Sequence, residues 1–534
     1  MKRHQQLILL LCFMLSAFSS LKADIYSSMK TFNSALLCLD NRYVDTVNVD
    51  ALTESAIKAM LKELDPHSTY LSAKEVEQMN EGLGGSFEGI GVRYQMENDT
   101  LLVINTVSGG PSEKVGILAG DRIIMVGDST IAGQKYNTNE IQRRLRGPKG
   151  SVVDLGVMRQ GEQQLLWFKV ERDKIPVYSV DASYMVSPNI GYIRLARFAQ
   201  TTPEEVDKAM GKLDQLGMKH LIIDLQDNGG GYLNSAVDLA NLFLPSSELV
   251  VYTQGRSDGH RKYLTRHLFD HFKGRIVVLI NEQSASASEI LAGCLQDLDR
   301  GVIVGRRSFG KGLVQSPIRL PNGGMIRLTI SHYYTPSGRC IQKPYTKGDQ
   351  KSYNEDILNR FKQGELQYAD SIDFADSLKF YTRNGRTVYG GGGIMPDFFV
   401  PLDTTSYTKP HRAVNAKGSL NKFVVHYFKN HQRDLHLQYP TIEDFANSET
   451  GFKVTDEMIS GIIEQAKSDS VQSDELDSLY TNKLFRSQVA AYLANDLYEN
   501  GAYNRIMNPT SDMFNEALAI INDERRYNEL LKLK

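Results

Sequence analysis

Between residues 173 and 400 the chain carries short runs with no polar alternation, Leu221-Ile222-Ile223-Asp224-Leu225, Ile276–Ile280 and Val302–Val304. A strand that is apolar on both sides must be covered on both sides. Gly191-Tyr192-Ile193-Arg194-Leu195 adds another strand, and Ala287–Asp297 reads as a helix between two of the runs. Thr202-Pro203-Glu204-Glu205 reads as a capping box with proline at the first helical position. Strands alternating with helices give an α/β layer with parallel pairing, and that fixes the central architecture.

The flanks have other rhythms. Residues 24–80 read as helical, interrupted at Leu64-Asp65-Pro66-His67-Ser68. Residues 81–172 are glycine-punctuated and β-rich, with strands at Leu101–Val107, Arg122–Val126, Val152–Met158 and Leu165–Val170 and a helix at Asn139–Leu145. From about 405 to 534 the pattern is helical, with helix starts at Thr455-Asp456-Glu457 and Thr510-Ser511-Asp512. Lys2 and Arg3 precede the apolar run Leu7–Phe18, and small residues follow through Ala23. This is the layout of a cleaved secretory signal over residues 1–23, since the run is too short to span a bilayer. No second apolar stretch is long enough, so the mature chain is expected to be exported with no integral membrane segment. The net charge of −2 gives no reason to expect nucleic acid. Cys38, Cys294 and Cys340 are too scattered for a disulfide framework. Cys294 reads as a buried thiol, and one Cys38–Cys340 bridge stays open.

Three patterns could carry chemistry. Asn281-Glu282-Gln283-Ser284-Ala285-Ser286-Ala287-Ser288-Glu289 joins a buried strand to a helix, where backbone N–H groups and the helix dipole converge. A serine there is a nucleophile candidate, or simply an N-cap. Asp224-Leu225-Gln226-Asp227-Asn228-Gly229-Gly230-Gly231 allows close backbone approach, which suits an oxyanion hole or a flexible turn. Gly305-Arg306-Arg307-Ser308-Phe309-Gly310-Lys311-Gly312 looks like a phosphate loop, but Gly312 stands where a magnesium-binding hydroxyl belongs. Lys311 lies beside Leu313 and Val314 with few acids near it in sequence, which suits a lysine kept neutral by burial. His267 and His271, spaced i, i+4, read as part of a charged surface helix rather than a metal site. Gly390–Gly393 reads as a mobile turn.

Together these motifs resemble the C-terminal processing peptidases, or tail-specific proteases. The resemblance also rests on Leu64–Ser68, Phe87-Glu88-Gly89-Ile90-Gly91-Val92, Ala119–Ile123, Leu145-Arg146-Gly147, Phe309–Gly312 and Tyr389–Asp397, and covers about residues 30–400. It implies a multidomain α/β protein. A signal peptide (1–23) and helical N-terminal region (24–80) would be followed by a β-rich PDZ domain (81–172). An α/β, crotonase-like serine peptidase domain (173–404) and a helical C-terminal domain (405–534) would complete the chain. It implies a Ser286–Lys311 dyad with Gln315 orienting the lysine. The oxyanion donors would be the amides of Ala287 and of Gly229 or Gly230. Gly89, Ile90, Gly91 and Val92 would bind the carboxylate of apolar C-terminal tails of protein substrates, with no metal, nucleotide or other cofactor. The family often has Arg where this chain has Gln226. The expected location is the periplasm or cell envelope of a bacterium. The helical C-terminal domain could pair with a second copy or an adaptor. A PDZ adaptor without activity is the alternative reading.

Overall fold

The computed structural model describes residues 24–533 except 98, 160, 268–270, 373, 473–474 and 499–500. The leader expectation lies outside the described residues. No described helix is long and apolar enough to cross a membrane.

The centre is a six-stranded sheet whose spatial order is its chain order: Val180–Ser187 (β1), Ile190–Leu195 (β2), His220–Asp224 (β3), Ile276–Ile280 (β4), Val302–Gly305 (β5) and Phe398–Phe399 (β6). β2 to β6 are parallel, and β1 is an antiparallel edge. Because the strands advance in one direction, right-handed crossovers put their connecting helices on one face. Thr202–Gln215 (α1), Leu233–Ala240 (α2) and Ala287–Asp297 (α3) all pack there, against Ile193, Ile223, Val278 and Ile303. The alternate residues Tyr192, Ile222, Val277, Leu279, Val302 and Val304 point to the other face. Asp512–Asn522 (α4) and Glu524–Leu531 (α5) cover it with Met513, Phe514, Ile520, Ile521, Tyr527 and Leu531.

The expected 405–534 region therefore divides. Residues 409–507 form a helical unit with its own core, built on Ser419–Gln438, Asp456–Ser468 and Lys483–Tyr498. The last two helices belong to the central sheet. The helix starts at Thr455 and Ser511 are real: both side chains accept an amide of the first turn.

The N-terminal region is also stitched in. After helix Val49–Lys62 the interruption at 64–68 leads into a short strand, Thr69–Leu71, which pairs with Met325–Arg327. That strand joins a second sheet containing Leu313–Arg319, Met325–Tyr334 and Leu249–Gly255. The β-rich module is a sheet of Val92–Glu97, Thr100–Thr106, Arg122–Val126, Val152–Met158 and Leu166–Glu171 with helix Thr138–Leu145, which starts in a capping box of Asn137 and Glu140. Ser86–Gly89 pairs with Asp173–Pro176, so the module enters and leaves through one ribbon. It leans on the C-terminal helices through Leu102, Ile104 and Val425 and an Arg93–Asp496 ion pair of 2.5 Å.

Several local expectations fail for identifiable reasons. Thr202 is not a cap: its hydroxyl donates to Ser179 and accepts the Ala199 amide, and Glu205 accepts the amides of Ser179 and Val180 instead. His267 and His271 lie outside any helix. Cys38, Cys294 and Cys340 are all free, so no Cys38–Cys340 bridge forms, and Cys294 is buried. Gly390–Gly393 is pinned, not mobile: Gly391 and Gly393 donate to Cys340 and Ile341, and Gly392 accepts from Arg307.

Candidate active site

Three loops meet at the C-terminal ends of β3, β4 and β5, where open α/β sheets place their ligands. The loop after β3 is Gln226–Gly231. Gly230 has φ +93°, and a Cβ on it would lie 2.7 Å from Ser286 Cβ and 2.8 Å from the Ala287 nitrogen. Only glycine permits that approach, so Gly230 is a fitted part of the wall and not a flexible turn. Asn228 binds it in place, with its amide donating to Leu195, its side-chain oxygen accepting from Gly230, and its carbonyl accepting from Ala285 and Ser288.

The loop after β4 carries Ser286 at the junction with α3. Its φ of 56° and ψ of −113° lie in a region that a non-glycine residue occupies only when its surroundings enforce it. The amide of Ala287, first in α3, has no carbonyl partner among the described residues, as the opening turn of a helix requires. The Gly230 amide is committed to Asn228 at 2.9 Å. Of the two glycines expected to offer an amide beside Ala287, this leaves Gly229.

The loop after β5 carries Lys311. It lines the same cleft of about 610 Å³ as Ser286, Gly229 and Gly230, together with Leu233, Ile290, Leu313, Met325 and Tyr333. Burial pushes its ammonium pKa down to about 8; Arg327 adds to the effect, and Glu289 and Asp65 oppose it. Two acids distant in sequence, Glu289 and Asp65, thus come near Lys311 in space, but burial outweighs them. Gln315 lines the cleft too, but its amide donates to the Leu313 carbonyl and the Thr329 hydroxyl, each at 3.3 Å, and not to Lys311. A bulge between Val314 and Gln315 re-aims that side chain. Thr329 donates onward to Asp65, which also accepts from Ser68. Thus the N-terminal Asp-Pro-His-Ser segment backs the site. His67, beside it, bonds Tyr353 at 2.8 Å, and burial and then Lys311 hold its pKa down to about 3.

Two residues missed in the sequence tie the loops together. Fully buried Glu289 accepts from the amides of Ser286 (2.8 Å), Gly310 (2.7 Å) and Lys311 (2.9 Å) and from the Ser308 hydroxyl (2.6 Å). Burial pushes its pKa up to about 7, against four donors that favour the anion. The Ser286-x-x-Glu289 spacing was the available signal. Tyr333 donates to the carbonyls of Lys311 (2.5 Å) and Ser286 (3.2 Å); nothing in its local sequence marks it.

In the β-rich module, Ile90 is buried and Gly91 has φ +72°. Val92–Glu97 is an edge strand, paired with Thr100–Thr106 alone among the described residues. Ile90 packs in one cluster with Ile141 and Leu145 of helix Thr138–Leu145. An edge strand beside a helix offers an extended peptide both backbone pairing and side-chain contact.

A nucleophile candidate at a strand–helix junction, a lysine of lowered pKa and an edge-strand module together define a serine peptidase of the PDZ-bearing kind. Residues 189–352 match peptidase family S41, residues 89–183 match the PDZ domain, and 411–499 match a family of unknown function. The chain is 38% identical over 324 residues to a carboxy-terminal-processing protease of Bartonella bacilliformis, spanning 60% of this chain and 74% of that one. It is 32% identical over 349 residues to the carboxy-terminal processing protease CtpB of Bacillus subtilis, spanning 65% and 71%. Among solved structures it resembles a photosystem II D1 C-terminal processing protease, at 28% identity and TM-score 0.33, over 58% of this chain and 89% of that one. The chain belongs to the carboxy-terminal processing peptidases of family S41.

Proposed function

We propose that the chain cleaves exported proteins selected by their apolar C-terminal tails, with Ser286 as nucleophile and Lys311 as base. The observation that carries this is the cleft shared by Ser286 and Lys311, with the buried carboxylate of Glu289 holding the backbone amides of both from behind it. The tail carboxylate docks on the amides of Gly89–Val92 and the tail adds to the edge strand Val92–Glu97. Neutral Lys311 takes the Ser286 hydroxyl proton as Oγ attacks the scissile carbonyl. The oxyanion is held by the amides of Ala287 and Gly229. The protonated lysine then gives its proton to the departing amine, and water, deprotonated by the lysine, releases the acyl group. Gln315 acts one step removed, through Thr329 and Asp65. Residues 1–23 direct export, which places the activity in the cell envelope.

The test uses protein starting at Asp24 and an unfolded substrate with an apolar tail or ending in Asp-Asp. Wild type is expected to cut the apolar-tailed substrate selectively. Ser286→Ala and Lys311→Ala should each lose about 10⁴-fold or more in kcat while melting as wild type. Cutting that survives in Lys311→Ala sinks the lysine assignment and turns attention to His67.

A further inference from the structure

Three basic side chains and, among the described residues, no carboxylate line the cleft holding Ser286. They are Lys311, Arg319 and Arg327. The two arginines come from the hairpin Leu313–Arg319 and Met325–Tyr334, where Pro317 lies opposite Arg327 and Arg319 opposite Met325. They are thus diagonal neighbours on one face, about 7–8 Å apart at the backbone, close enough to repel.

Other arginines around the site are paired. Arg306 meets Glu282, while Arg307 and Arg360 share Glu365. Arg319 and Arg327 have no acid and no carbonyl partner among the described residues. Arg327 is half-buried, and burial lowers its pKa with no acid to offset it. Asp65, the acid held on the neighbouring Thr329, is already occupied by Ser68, Thr329 and the His67 amide. A partly desolvated guanidinium without a partner costs free energy. A planar fork of donors turned toward a cleft suits a carboxylate.

We propose that Arg327, with Arg319 at its outer side, forms a carboxylate-binding subsite that reads an acidic group of the substrate beside the bond to be cut. The subsite is a property of the cleft; its place beside the scissile bond rests on Ser286 being the nucleophile. The carboxylate can come from an acidic side chain or from a chain terminus, and the test separates the two.

Short peptides with blocked ends, derived from an apolar-tailed substrate, carry Glu or Gln in turn at each position. Their affinity for the Ser286→Ala protein is measured by fluorescence anisotropy, which needs no turnover. At one position Glu is expected to bind about tenfold more tightly than Gln. The preference should fall to within about twofold when Arg327→Gln is added, survive in part with Arg327→Lys, and weaken with Arg319→Ala or added salt. A Gln peptide cut short to end there in a free carboxylate, and binding as well as the Glu peptide, assigns the subsite to chain termini. Equal binding of Glu and Gln at every position with no gain from a free terminus overturns the proposal, as does a preference that Arg327→Gln leaves intact. The Glu/Gln ratio is the readout because Arg327 also acts on Lys311, so absolute rates would move for a second reason. Loss of the dyad reading would show as cutting by Ser286→Ala, whatever the ratio.

Discussion

The two faces of the central sheet are made of the same strands but of different sorts of partner. The face with Ile193, Ile223, Val278 and Ile303 is covered by α1, α2 and α3, each the connection between neighbouring strands. The face with Ile222, Val277, Leu279 and Val304 is covered by α4 and α5, which come from the far end of the chain. The first face is local and ends in the loops that carry Ser286 and Gly230. The second brings no residue to the cleft. The difference teaches that chemistry and cover are supplied separately: crossovers of one hand build the site and at the same time leave an apolar surface that a distant segment must close.

Ending the chain at Thr510 tests this most severely. It uncovers the surface now met by Met513, Phe514, Ile520, Ile521, Tyr527 and Leu531. At about 1.5–3 kcal/mol for each large side chain, the loss is on the order of 10 kcal/mol, comparable with the whole stability of a typical protein. The truncated chain is expected to be insoluble or to lack a cooperative melt; a normal melt with activity would show that the second face needs no cover. The pH profile addresses the first face alone. The base must be neutral, so protonation as pH falls through about 8 removes activity. The expected kcat falls about tenfold per pH unit below that, roughly a hundredfold by pH 6, without loss of fold. A flat profile from pH 8 to 6 would exclude Lys311 as the base. Phe514→Ala should lower stability by about 3–5 kcal/mol in denaturant melts and leave the pH profile in place. A shifted profile would mean that the faces are coupled. The smallest effect belongs to Arg525→Ala, which removes a solvent-exposed pair with Glu529 on α5. It should change stability by less than about 0.5 kcal/mol, showing that only the apolar stripe of α5 matters.

Strands Arg122–Val126, Val152–Met158 and Ile276–Ile280 and helix α3 were legible to the residue, because apolar-rich runs bounded by turn residues leave few alternatives. The positions of Ser286, Lys311 and the glycine run in one cleft were legible as motifs. Thr202 reads as a cap because a hydroxyl and a glutamate at helix-start spacing also suit a loop; its hydroxyl is instead claimed by Ser179, distant in sequence, and by the Ala199 amide just before the helix. Gln315 was aimed at Lys311 by position, but a bulge turned it toward Thr329.

What the sequence determined by itself is whatever depends on neighbours along the chain: the strand pattern, the turn glycines, the serine at a helix start and the lysine among apolar residues. Only the tertiary structure decided the rest. An amphipathic helix such as α4 declares that it has a face to bury but not which surface will take it. Lys311 owes its lowered pKa to burial in the folded cleft, and Glu289 reaches its four donors only when the β4 and β5 loops are side by side. The packing of a hairpin against the site leaves Arg327 with no acid among the described residues. Burial and through-space charge act over distances that the order of residues does not record.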